Sequence, residues 1–198
     1  IITVSAGKYI GTAGDNSSNW DTCAGGTYKA SHTVAYGSTS GCSTCSAGYY
    51  CPQGAGSQTP CGSNAKYSSS GAAACSDVSS GYYTTGGGST TRTGQTKCEA
   101  GNYCSGGVKT ACGGGKYSSA GATSCSNITA GCYGTSATSA CPAVCGENKY
   151  STSGSSSCSS CPTDYKNSGT SASSHAGSAS CIITVSAGKY IGTAGDNS

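Results

Sequence analysis

Large apolar residues are thinly spread along this chain and show no 3.6-residue period, so no helix of ordinary length is predicted. Instead, short runs of β-branched and aromatic residues, such as IITV at 1–4 and GYYTT at 81–85, stand between stretches of Gly, Ser and Thr. Runs of this kind between turn-forming residues predict strand fragments in short hairpins. The predicted unit is a few short hairpins and loops tied by bridges. Such units touch mainly their neighbours, so stacking in tandem would give an elongated rod.

The pattern repeats on two scales. IITVSAGKYIGTAGDNS fills residues 1–17 and again 182–198, an offset of 181. The simplest reading is a tandem repeat of that period, a window on a longer array; a cloning duplication or an isolated terminal echo are the alternatives. Inside it runs a shorter period. Cys45, Cys51, Cys61 and Cys75 align with Cys98, Cys104, Cys112 and Cys125, the offset drifting from 53 to 50. A third, partial copy, CGENKYSTSGSSSCSSC, spans 145–161. The expected modules are therefore 45–97, 98–144 and a partial 145–180. Residues 1–44 hold a second half-module and a seam module, the latter completing one that starts at 181. Residues 181–198 begin the next long repeat as a copy of 1–17.

Composition limits what can hold such hairpins together. There is no Leu, Phe or Met, and Trp20 is the sole Trp. A chain so poor in large apolar groups cannot offset a backbone ordering cost of roughly 1–2 kcal/mol per residue by burial alone. The sixteen cysteines, all between Cys23 and Cys181, are the agents that can fix the fold. Eight bridges would satisfy them, each contributing about 2–4 kcal/mol, and bridges on this scale imply an oxidising, extracellular setting. The expected fold class is a small disulfide-rich one. A net charge of +3 with 9% charged residues leaves no nucleic-acid footprint. No apolar run approaches the roughly 20 residues of a membrane span, and a secretory leader is expected outside this window.

Sixteen cysteines allow many pairings, but one spacing recurs. A Cys stands 13 or 14 positions before another across each Lys-Tyr-Ser turn. This predicts the pairs Cys61–Cys75, Cys112–Cys125 and Cys145–Cys158. The C-x-x-C pairs Cys42/Cys45 and Cys158/Cys161 read as bridge cysteines rather than zinc ligands or redox dithiols. His32 and His175, in Ser/Thr/Gly surroundings, are expected in exposed loops. The triple glycines at 86–88 and 113–115 lack the strand, Lys and helix of a phosphate loop. No catalytic, cofactor-binding or metal-binding constellation is found, so no enzyme is expected, and no cofactor beyond covalent glycans. Tyr9, Tyr49, Tyr67, Tyr82, Tyr103, Tyr117 and Tyr150 recur after Gly or Lys. Each ring is expected to cover a disulfide or the next module; stacking on sugars is the alternative. Asn16 and Asn127 head glycosylation sequons, and Asn197 is the copy of Asn16. Ser/Thr clusters such as 170–180 suit O-linked sugar.

The patterns C-x-x-G-x-Y-C and C-x-x-x-K-Y-S-x-x-G-x-x-x-C resemble the ephrin-receptor-type cysteine-rich repeats of large protist surface proteins. More distantly they resemble EGF-like and TNF-receptor-like modules. Mastigonemes, the hairs of protist flagella, are built from secreted proteins with such modules. The resemblance implies an extracellular structural role. The expected function is a subunit of a secreted, glycosylated filament of tandem 181-residue repeats, with further copies of itself as partner and neither nucleic acid nor membrane span. The alternative is a cell-surface coat or adhesive ectodomain. In the array, 182–198 should repeat the path of 1–17, Tyr190 should match Tyr9, and Cys181 should bridge forward into the seam module.

Overall fold

A computed structural model describes residues 1–183. Its local logic is a turn that recurs along the chain. In Ser46-Ala47-Gly48-Tyr49 the Ser46 carbonyl accepts from the Tyr49 amide at 3.1 Å, and Gly48 has φ +85°. A positive φ at the third residue is the mark of a type II turn, where a Cβ is disfavoured. Beyond the turn, Tyr49–Tyr50 pairs antiparallel with Thr59–Pro60. The Cys61 amide then closes the hairpin onto the Gly48 carbonyl at 3.1 Å. The chain passes straight into the next turn.

Among the described residues there are eleven two-stranded sheets, and ten of them are hairpins of this kind. We number these hairpins as modules 1–10. Their first strands are Lys8–Tyr9, Thr27–Tyr28, Tyr49–Tyr50, Lys66–Tyr67, Tyr82–Thr85, Asn102–Ser105, Lys116–Tyr117, Cys132–Tyr133, Lys149–Tyr150 and Tyr165–Lys166. The eleventh sheet, which joins Ile2–Val4 to His32–Val34, is of another kind. Residues 45, 98 and 145 each begin a module, so 45–97 and 98–144 hold three hairpins apiece. The structural unit is thus finer than the fifty-odd residues of the cysteine period.

Three positions recur in each module and face inward, except that the turn residues of the last two modules, Asn148 and Asp164, are exposed. The first, the anchor, is Val4, Cys23, Cys45, Cys61, Val78, Cys98, Cys112, Ile128, Cys145 or Cys161. The second is the turn residue, three positions on (four in module 4). It has positive φ in every module but module 4, where it is Ala65; in modules 9 and 10 it is Asn148, φ +57°, and Asp164, φ +70°. The third, the rear position, is three further on and includes buried Ile10, Cys51, Ser68, Thr84, Cys104, Ser118, Ser151 and Asn167. Nine of the thirteen buried apolar residues are cysteines, so the interior is mainly cystine. Val4, Val78 and Ile128 show the same logic. Where an anchor is not Cys, it is a β-branched aliphatic that fills the space.

The described residues contain no α-helix; two short 3-10 turns, Ala172–His175 and Ser178–Ser180, lie in the long loop of module 10. The chain forms two compact units, one of residues 1–98 and 104–109, the other of 99–103 and 110 onward. The first holds modules 1–5, the second modules 7–10, and module 6 contributes to both.

Candidate functional site

The feature built most often is the face that one module presents to the next. In the first unit the turn amides of Gly7, Gly26 and Gly48 donate to the rear carbonyls of the following module, Lys29, Cys51 and Ser68, at 2.8, 2.8 and 2.9 Å. In the second, Gly101, Gly115, Gly131 and Asn148 donate to Ser118, Gly134, Ser151 and Asn167 at 2.9–3.2 Å. Each pair follows because the turn leaves its third amide pointing out of the hairpin, unsatisfied unless a neighbour accepts.

A second bond explains the recurring Lys-Tyr-Ser. The buried rear hydroxyls of Ser68, Ser118 and Ser151 donate back to the strand carbonyls of Tyr49, Asn102 and Cys132 at 2.7–2.8 Å. Asn167 does the same through Nδ2 to Lys149 at 2.8 Å. A third explains the Gly three residues later. Gly54, Gly71 and Gly154 donate to the anchor carbonyls of Cys23, Cys45 and Ile128 at 2.8 Å. The packing is close. A Cβ on Gly115, at φ +69°, would overlap the Gly154 carbonyl oxygen. Each such interface joins unlike surfaces, front to back.

The disulfides stay within modules. Cys61–Cys75, Cys112–Cys125 and Cys145–Cys158 are joined, the three pairs that the spacing predicts. Cys23–Cys42 and Cys161–Cys181 are built the same way, an anchor tied to the residue before the return strand. Cys45–Cys51 and Cys98–Cys104 tie anchor to rear position, and Cys132–Cys141 serves module 8. No cysteine is free. Both C-x-x-C pairs sit at module borders, the first Cys closing one module and the second opening the next. Among the described residues no cluster of His, Cys, Asp or Glu could hold a metal.

Three expectations are corrected. Cys181 bridges back to Cys161 and not forward into the seam, because it precedes the return strand Ile182–Ile183 of module 10. His175 is fully buried, not exposed in a loop. Its Nδ1 lies 2.8 Å from the Lys149 carbonyl oxygen and its Nε2 3.0 Å from that of Gly169. The ring lies under the long loop of module 10, where the nitrogen that carries the proton can donate to a main-chain carbonyl. His32 is half-buried in a strand, opposite Val4.

The seven recurring tyrosines are all half-buried on hairpin strands. Tyr117 packs on the cluster of Ile128, Cys132 and Ala137. Sequence reading missed the rear position, whose signal is a residue able to be buried three places after each turn. Asn16 and Asn127 are both exposed; Ser18 donates its amide to Asn16 Oδ1 at 3.1 Å, and Lys116 Nζ donates to Asn127 Oδ1 at 2.9 Å. Tyr190, Asn197 and all but the first two residues of 182–198 lie outside the described residues.

Sixteen paired cysteines mark a protein of an oxidising, secretory or extracellular setting. No helix among the described residues is long and apolar enough to cross a membrane. No family model matches the chain, and no curated protein matches it.

Proposed function

We propose that the chain is a structural subunit of a secreted, glycosylated extracellular filament made of tandem 181-residue copies. The observation that supports this best is the front-to-back contact between successive modules. A contact between unlike surfaces does not close on itself unless its rotation makes a ring, so it can be extended by repetition. The bridges lie within modules and would keep each hairpin from unravelling under tension, while repetition sets length. Asn16 and Asn127, both exposed, would carry N-linked sugar over a surface with little apolar interior beneath it.

Electron microscopy of the native material tests the reading. Fibres with a regular axial repeat are expected. A cell-bound layer without axial order would replace this reading by the surface-coat one. Peptide mass spectrometry tests the sugar; unmodified Asn16 and Asn127 would remove it from the account.

A further inference from the structure

One sheet in eleven does not belong to a hairpin: Ile2–Val4 paired with His32–Val34. Ile2 lies opposite Val34 and Val4 opposite His32, so one edge of the first strand is occupied. No described strand takes its other edge. The same residues, Ile-Ile-Thr-Val, recur at 182–185. There Ile182 and Ile183 are the return strand of module 10, opposite Lys166 and Tyr165. Among the described residues seven large apolar side chains are exposed, and four of them are Ile1, Tyr165, Ile182 and Ile183. Surplus apolar surface therefore gathers on the two segments that share this sequence and on the strand paired with the second of them, where an association surface is expected.

We propose that the open edge of Ile1–Ile2 docks the Tyr165–Lys166 strand of a preceding copy of this chain, with Lys166 opposite Ile1 and Tyr165 opposite Ile2. The sequence Ile-Ile then serves two copies at once. It ends the last hairpin of one and, through the Ile2–Val4 strand, pairs with His32–Val34 of the next. The two-stranded sheets merge into one of three strands, and the junction needs no linker. Counting from Val4 to its copy Val185, ten modules fill the 181-residue period. The inference rests on the tandem reading of the proposed function and adds the contact that joins the copies.

The test is the full chain, alone and with one additional 181-residue copy fused ahead of it, both oxidised. Amide hydrogen exchange is followed at Ile2 and at Val34. In the two-copy protein, exchange at Ile2 of the second copy should slow by about tenfold or more, with Val34 also slowed, because a central strand opens less readily than an edge. Unchanged exchange at Ile2 would overturn the docking. The filament reading fails separately. Native material without fibres would sink it while a protected junction still stood.

Discussion

Residues 45–97 and 98–144 begin alike and end differently. Each opens with a module bridged from anchor to rear position, Cys45–Cys51 or Cys98–Cys104. Each continues with one bridged from anchor to return strand, Cys61–Cys75 or Cys112–Cys125. They part most at the third hairpin. Module 8 has a bridge, Cys132–Cys141, a fully buried anchor, Ile128, and a ladder of two residue pairs. Module 5 has no bridge and a half-buried anchor, Val78, but a ladder of four pairs from Tyr82–Thr85 to Gly94–Lys97. Gln95 adds two bonds to Ser79, at 2.7 and 2.9 Å, and Arg92 reaches Asn64 at 2.9 Å. The same place in the architecture is held covalently with a small apolar cluster in one case, and by hydrogen bonds in the other.

The anchor should show this contrast most strongly. Ile128→Ala removes a fully buried side chain and should cost about 2–5 kcal/mol. Val78→Ala, at a half-buried anchor, should cost about 1 kcal/mol. Denaturant unfolding of the oxidised proteins measures both. Equal losses would mean that the two third hairpins are held in the same way after all.

The bridge comes next. Replacing Cys132 and Cys141 together by Ala opens a nine-residue separation, which the chain-entropy model values at about 2–3 kcal/mol. Peptides from 128–144 should then exchange amide hydrogen as fast as, or faster than, those of the unbridged 78–97. If 128–144 stays the slower, Ile128 and its neighbours suffice without the bridge.

Much of this was legible in the sequence, and the reason is covalent. Bridges leave cysteines at fixed spacings, so the borders at 45, 98 and 145 and the pairs around each Lys-Tyr-Ser could be read directly. The rear position was not legible, because it holds Ile10, Cys51, Ser68, Thr84 and Asn167 alike. A hydroxyl or amide can be buried there because the preceding module supplies a carbonyl, as Tyr49 does for Ser68, and no hydropathy pattern registers that. The burial of His175 was hidden for the same reason: one carbonyl partner, Lys149, lies 26 residues away in sequence.

The hydrogen bonds of module 5 give a smaller effect. Gln95→Ala removes a side chain that donates to Ser79 and accepts from its amide, and should cost about 1 kcal/mol, since exposed bonds exchange with water. Gln58→Ala, in module 3, removes the matching bond to Ser46 from a hairpin that a bridge already ties, and should cost about half as much or less. Thermal unfolding of the two single variants separates these values. A larger loss for Gln58 would show that the bridge does not relieve the side-chain bond of its share.

The smallest effect lies in the second modules, where the turn positions of 45–97 and 98–144 differ in kind. Module 7 turns on Gly115 at φ +69°, against the Gly154 carbonyl. Module 4 has Ala65 at that place, without a positive φ, and one additional residue between anchor and turn position; the glycine after the anchor is left-handed in both modules, Gly62 at φ +84° and Gly113 at φ +80°. With that additional residue the turn position of module 4 lies outside the left-handed region, in a conformation that L-residues adopt. Glycine therefore has nothing to relieve at 65. Ala65→Gly should destabilise by about 0.5–1 kcal/mol, because glycine adds conformational freedom to the unfolded chain. The Val78 amide, which closes module 4 onto the Ala65 carbonyl at 2.8 Å, should exchange faster by no more than about fivefold. A gain in stability would mean that Ala65 is strained as Gly115→Ala would be, and that module 4 uses the same turn as the others despite its inserted residue.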